Sequence, residues 1–126
     1  MKNTNKYWLT ASVLAFTTAI IHLYQGQLDL INPLLESELS SQIKTELLGV
    51  WHMISLLLLA TAGVYLFFAI KNLPSSITLC LLSNLYFAFG LVFIGVSLFT
   101  GNFAPQFILL IPIGFFGLIG IKKHAV

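Results

Sequence analysis

Four runs of apolar residues divide the chain: Trp8 to Tyr24, Leu47 to Ile70, Ile77 to Phe99 and Phe103 to Ile121, which are 17, 24, 23 and 19 residues long. A helix needs roughly 20 residues to cross about 30 Å of hydrocarbon, so each run has about the length of a membrane span. Backbone amides in lipid find partners only within their own segment, and no run shows the alternating polar positions of a barrel strand. The pattern therefore predicts four helices. The second and third connections, Lys71 to Ser76 and Thr100 to Asn102, are six and three residues long, which makes sequence neighbours antiparallel and adjacent. The expected fold is all-α, a single domain over residues 1–126 built as an up-down-up-down transmembrane four-helix bundle.

The remaining segment, Gln25 to Glu46, has a different pattern. Ile31, Leu35, Leu39 and Ile43 recur every four residues beside Glu36, Glu38 and Lys44, and Asn32 followed by Pro33 reads as a helix cap and its first-turn proline. The expectation is a short amphipathic stretch lying on the membrane or covering the bundle. Within the spans, small residues at helical spacing mark packing faces, because helices in lipid associate by close approach. Ala11, Ala15, Ala19 and His22 form such a face on the first helix. His52, Ser55, Leu59, Ala62 and Gly63 form one on the second, Asn84, Ala88 and Gly95 on the third, and Gln106, Ile113, Gly117 and Gly120 on the fourth. Pro105 belongs to the first turn of the last helix, whereas Pro112 lies inside it and should bend it.

Composition agrees with a membrane protein: 58% of residues are hydrophobic and 8% charged, against about 25% charged in soluble domains. Mean hydropathy is +0.95. Six lysines, no arginine and four acids leave +2, with no charge block of the kind that binds nucleic acid. Lys2, Lys6, Lys71, Lys122 and Lys123 all fall on one side of the four-span topology. The positive-inside rule makes that side, with both termini, cytoplasmic. Asp29, Glu36, Glu38 and Glu46 lie on the other side with Lys44 alone, so the 25–46 loop is external and acidic. A bacterial cytoplasmic (inner) membrane is the expected location. Lys2 and Lys6 ahead of an apolar run suggest a signal peptide, but the run is long, opens with Tyr7 and Trp8 and has only a weak cleavage site near Thr17 and Ala19, so a retained helix is expected.

Depth decides which polar residues can meet. At 1.5 Å per residue, His22 lies about 3 Å below the outer end of its helix, His52 about 7 Å and Gln106 about 4 Å below theirs. They share one layer near the external face, bordered by Tyr24, Gln25 and Trp51, with Glu46 above. Asn84 and Tyr86 belong to a deeper layer, and His124 lies beyond the last span on the opposite side. Two imidazoles at matched depth can bind a haem iron axially or a metal ion, with Gln106 or Glu46 assisting, and the same layer suits a quinone. The plainer alternative is that these side chains anchor helix ends by bonding carbonyls, water or lipid.

Other activities lack their groups. No span contains an acid for proton coupling. There is no arginine to clamp phosphate, and Cys80 stands alone inside the third helix, which suits packing rather than dithiol exchange. No Gly-x-Ser-x-Gly elbow occurs, and Gly114, Gly117 and Gly120 lie within a span as packing residues rather than a phosphate loop.

With a histidine closing the first span, another opening the second in VWHMISLLLL and an IPIG step in the fourth, the chain resembles the YgdD-like small inner-membrane proteins. TTAII stands where a glycine-rich run would precede the first histidine, and the resemblance transfers no activity. The leading expectation is a non-enzymatic helical-bundle subunit or accessory factor, whose partners are the lipid bilayer and a larger membrane complex or a second copy of the chain. A ligand-binding or redox protein using His22 and His52 is the alternative. A small-solute channel or transporter made by dimerisation is the third, with Thr18, Ser55, Thr61, Asn84 and Ser97 as scattered polar steps.

Overall fold

The computed structural model describes residues 4–124; Lys2 and the side chain of His124 lie outside the described part. All regular structure there is helical. Helix α1 (Lys6–Gly26) runs through a π-helical turn, Gln27–Ile31, into the short α2 (Asn32–Glu36); α3 (Ser41–Lys71), α4 (Ile77–Thr100) and α5 (Phe107–His124) follow. Three helical stretches, Lys6–Glu36, Ser41–Lys71 and Ile77–Thr100, are long and apolar enough to cross a membrane. The 18 residues of α5 amount to about 27 Å of helix.

Local chemistry sets the boundaries. Asn5 caps α1, its side chain accepting from the amides of Tyr7 and Trp8; Ser40 and Ser76 cap α3 and α4 in the same way. Asn72 ends α3 in the left-handed conformation at φ 47°, and Gly101 ends α4 at φ 70°. Helix α5 begins four residues later than the apolar pattern suggests. Pro105 and Gln106 form a turn ahead of it, whose carbonyls take the amides of Ile108, Leu109 and Leu110. The residue before a proline avoids the helical region, so Ala104 ends the approach rather than starting the helix.

The first connection departs most from expectation. It is not a loop over 25–46 carrying a separate surface helix: α1 simply continues, and the chain turns only at residues 37–40. Asn32 is not a cap. Its backbone is helical, its amide bonds the carbonyl of Gln27 five residues back, and its side chain accepts from Gln27. The π turn coincides with Pro33, which has no N–H for the carbonyl of Asp29 and would press its ring on that carbonyl; widening the turn just ahead relieves both problems.

Helix α1 packs closely on α3 and α5, and α5 on α4. Hydrogen bonds give the directions. The Asn5 amide donates to Ala69 O at 3.2 Å and Ser12 Oγ to Ala62 O at 2.8 Å, so α1 and α3 run antiparallel. Asn5 Nδ2 to Gly120 O at 3.3 Å and Trp8 Nε1 to Gly117 O at 3.2 Å do the same for α1 and α5. The start of α1 and the ends of α3 and α5 thus meet at one end of the molecule. Helices α3 and α4, expected to be adjacent because six residues join them, are not a close-packed pair; they meet through longer side chains, notably Tyr65 of α3 and Ser83 of α4.

The packing faces were legible on two helices. Ala11, Ala15 and Ala19 are fully buried, and so are Ile113, Gly117 and Gly120 on α5. A methyl added to Gly117 would strike Ser83 and Tyr65, and one added to Gly120 would strike Trp8. On α3 the buried set is Ser55, Leu58, Thr61, Ala62, Tyr65 and Ala69, while His52, Leu59 and Gly63 face away from the bundle. On α4 the expectation is reversed: Leu79, Ser83, Tyr86 and Gly90 are buried, and Asn84, Ala88 and Gly95 are exposed. Ser83 bonds Tyr65 and Leu79 O, and the Tyr86 ring fills the interior, which leaves the Asn84, Ala88 and Gly95 stripe outward.

Candidate functional site

Of the residues that the pattern placed in one external layer, the structure brings two together. His22, near the end of α1, stacks on Trp51 of α3 with ring centroids 3.7 Å apart and planes 15° from parallel. His22 Nε2 lies 3.3 Å from the Trp51 carbonyl oxygen, which accepts when that nitrogen carries the proton. Gly26, one turn on, leaves the room that the indole fills, since any β-carbon there would overlap the Trp51 ring. The indole N–H of Trp51 is buried without a hydrogen-bond partner.

The other members of that layer stand apart. His52 is one position beyond Trp51, about 100° round the helix, and is exposed. Tyr24 is 70% exposed. Gln25 donates to Asp29 at 2.6 Å and Glu46 accepts from Gln42 at 2.6 Å, both within one helical stretch. Gln106 lies in the turn before α5, exposed. Among the described residues no three His, Cys, Asp or Glu side chains converge on a metal-sized site.

A second polar layer was not foreseen as a unit. Tyr65 OH and Ser83 Oγ are 2.8 Å apart, and Ser83 donates to its own helix at Leu79 O, 2.6 Å. Thr61 and Tyr86, about one turn along, are each 1% exposed, and their hydroxyls are buried without a well-formed hydrogen bond. The layer begins about 9 Å inside the bundle, six residues from Lys71 on α3 and six from Ile77 on α4. The sequence signal was available: Thr61 and Tyr65 are four apart, Ser83 and Tyr86 three apart, and Gly117 is small opposite them. Hydroxyls offered as steps of a channel bond locally instead. Thr18, Ser55 and Ser97 each donate to the carbonyl four residues back in the same helix.

The third feature is the hairpin of α1–α2 and α3. Trp8 is level with Gly117, so the start of α5 is level with Thr18. Tyr65 is level with Ser83, so the end of α4 at Thr100 is level with about Leu48 of α3 and, through the His22–Trp51 pair, about Gln25 of α1. Beyond that level α1–α2 continues for eleven residues to Glu36, about 16 Å. This projecting part carries Asp29, Glu36, Glu38 and Glu46, all exposed, together with exposed Leu28, Leu30, Leu35, Leu39 and Ile43. Its single lysine is engaged: Lys44 Nζ donates to Leu35 O at 2.7 Å, closing the end of α2.

Comparison with protein-family models, curated proteins and solved structures returned no match. What fold and composition define is an all-helical protein with three helices long and apolar enough to cross a membrane.

Proposed function

We propose that the protein is a non-enzymatic subunit or accessory factor of the bacterial cytoplasmic membrane, an up-down-up-down bundle with cytoplasmic termini whose acidic hairpin engages a partner on the outer side. The observation that carries this is the hairpin's overhang. Two helices continue past the level at which α4 and α5 end, and they present leucines beside four carboxylates. Exposed apolar side chains outside hydrocarbon are costly to keep solvated, and such a patch rimmed by charge is the form of a protein-binding surface. Lys6, Lys71, Lys122 and Lys123 lie at the opposite end of the helices, in keeping with the positive-inside rule. A photo-crosslinking amino acid at Leu35 or Leu39, in the native membrane, is expected to yield one discrete protein adduct that falls several-fold when Glu36 and Glu38 are replaced by lysine. Absence of an adduct, or one indifferent to the charge reversal, would count against the proposal.

A ligand site near His22 draws on one observation, the unpartnered indole N–H of Trp51. That donor suits a quinone carbonyl. It does not bear on haem or metal ligation by His22 and His52: with Nε2 on the Trp51 carbonyl, His22 would ligate through Nδ1, and His52 stands apart on the exposed face of α3.

A further inference from the structure

Helix α4 has an outward face with an unusual composition. Ile77, Leu81, Asn84, Ala88, Leu91, Gly95 and Leu98 follow one another at steps of four and three residues, the a/d spacing of a coiled-coil seam over three heptads, and all seven are exposed. Asn84 is the anomaly. It lies seven residues into α4, about 10 Å from its start, at a depth where hydrocarbon surrounds a spanning helix. Its Nδ2 donates to Cys80 O at 2.8 Å and, weakly, to Cys80 Sγ at 3.5 Å, which leaves Oδ1 unspent and the second amide hydrogen only weakly engaged. An amide turned to lipid with half of its bonding capacity unused is expensive unless another chain supplies the complement.

We infer that α4 pairs with α4 of a second copy of this chain through Asn84. The carboxamide is its own complement: under a two-fold axis one Nδ2–H meets the other Oδ1, and the exchange occurs twice. Two copies inserted in the same orientation are related by an axis along the bilayer normal, so equal depths face each other and Asn84 meets Asn84. The flanking positions permit the approach. Ala88 is small, and a methyl built on Gly95 would meet nothing within 4 Å, whereas Gly90, Gly114, Gly117 and Gly120 are each packed against a neighbour's side chain or backbone. Gly49 and Gly63 of α3 are equally open, but the amide on their stripe, Gln42, lies in the projecting hairpin and is bonded to Glu46. The pairing does not depend on what the hairpin engages.

The test is the oligomeric state of the purified full chain in lipid vesicles, followed by energy transfer between labelled copies as the protein-to-lipid ratio rises. Wild type is expected to dimerise. Asn84→Leu should weaken the dimer about ten-fold, the order expected for losing a pair of interhelical hydrogen bonds; Gly95→Leu should weaken it by bulk, and Asn84→Gln should retain most of it. Phe67→Leu, on the outward face of α3, should have no effect. With Cys80 replaced by serine, Ala88→Cys should form an inter-copy disulfide and Phe67→Cys should not. Because Asn84 bonds only within its own helix, Asn84→Leu should melt as the wild-type monomer does. Monomeric wild type at the highest protein-to-lipid ratio, or a dimer indifferent to Asn84→Leu, overturns the inference.

Discussion

His22 rests flat on Trp51 with its Nε2 facing the same residue's carbonyl, and both contacts tie the end of α1 to α3. A stacked aromatic pair is worth about 0.5–1.5 kcal/mol beyond burial, and an interhelical hydrogen bond in a membrane about 0.6 kcal/mol. His22→Ala is therefore expected to cost roughly 1–2 kcal/mol of unfolding free energy in micelles. His52→Ala, at an exposed position, should stay within about 0.5 kcal/mol, and the double variant should be additive because the two share no bonding partner. A visible haem band or bound metal that disappears in both single variants would instead identify the pair as co-ligands.

At the scale of elements, the α1–α3 hairpin separates two roles within single helices. Each helix is apolar where it packs and mixed in character where it projects, and the π turn at Gln27–Ile31 falls where α1 leaves the bundle. In cells, cysteines placed at Ser40, in the hairpin tip, are expected to react with an impermeant thiol reagent added from outside, and cysteines at Asn72, in the α3–α4 connection, are not. Reaction at Asn72 from outside would reverse the orientation. Helix α4 shows how an element can mislead: a small-residue stripe normally marks an interior face, and here the interior is claimed by Leu79, Ser83 and Tyr86.

At the scale of the molecule, Gly117 is the point where three helices depend on one missing side chain. Tyr65 of α3 and Ser83 of α4 occupy the space that its β-carbon would need, and its carbonyl accepts from Trp8 of α1 at 3.2 Å. Gly117→Ala is expected to lower stability by about 1–3 kcal/mol through overpacking, seen as a reduced melting temperature, whereas Gly63→Ala, which meets open space, should stay within about 0.5 kcal/mol. Equal effects would mean that Tyr65 and Ser83 can move aside freely.

The sequence by itself determined the all-helical class and the start of α4 at Ile77, because apolar length and the Ser76 cap are local properties. It also determined the packing faces of α1 and α5, where alanine and glycine at regular spacing have no competitor on their helices. Only the tertiary structure decided the rest. The Asn32–Pro33 pair does not by itself say whether the chain starts a new helix there or carries α1 on through a π turn at Gln27–Ile31, and whether Asn84 or Ser83 faces inward depends on what α3 and α5 offer in return. Tyr65 offers a hydroxyl at 2.8 Å to Ser83. The grouping of His22 with Trp51 rather than His52 likewise follows from a rotation of about 100° per residue: matched depth brings residues to one level, but the azimuth of each helix, set by close packing against its neighbours, selects which of them touch.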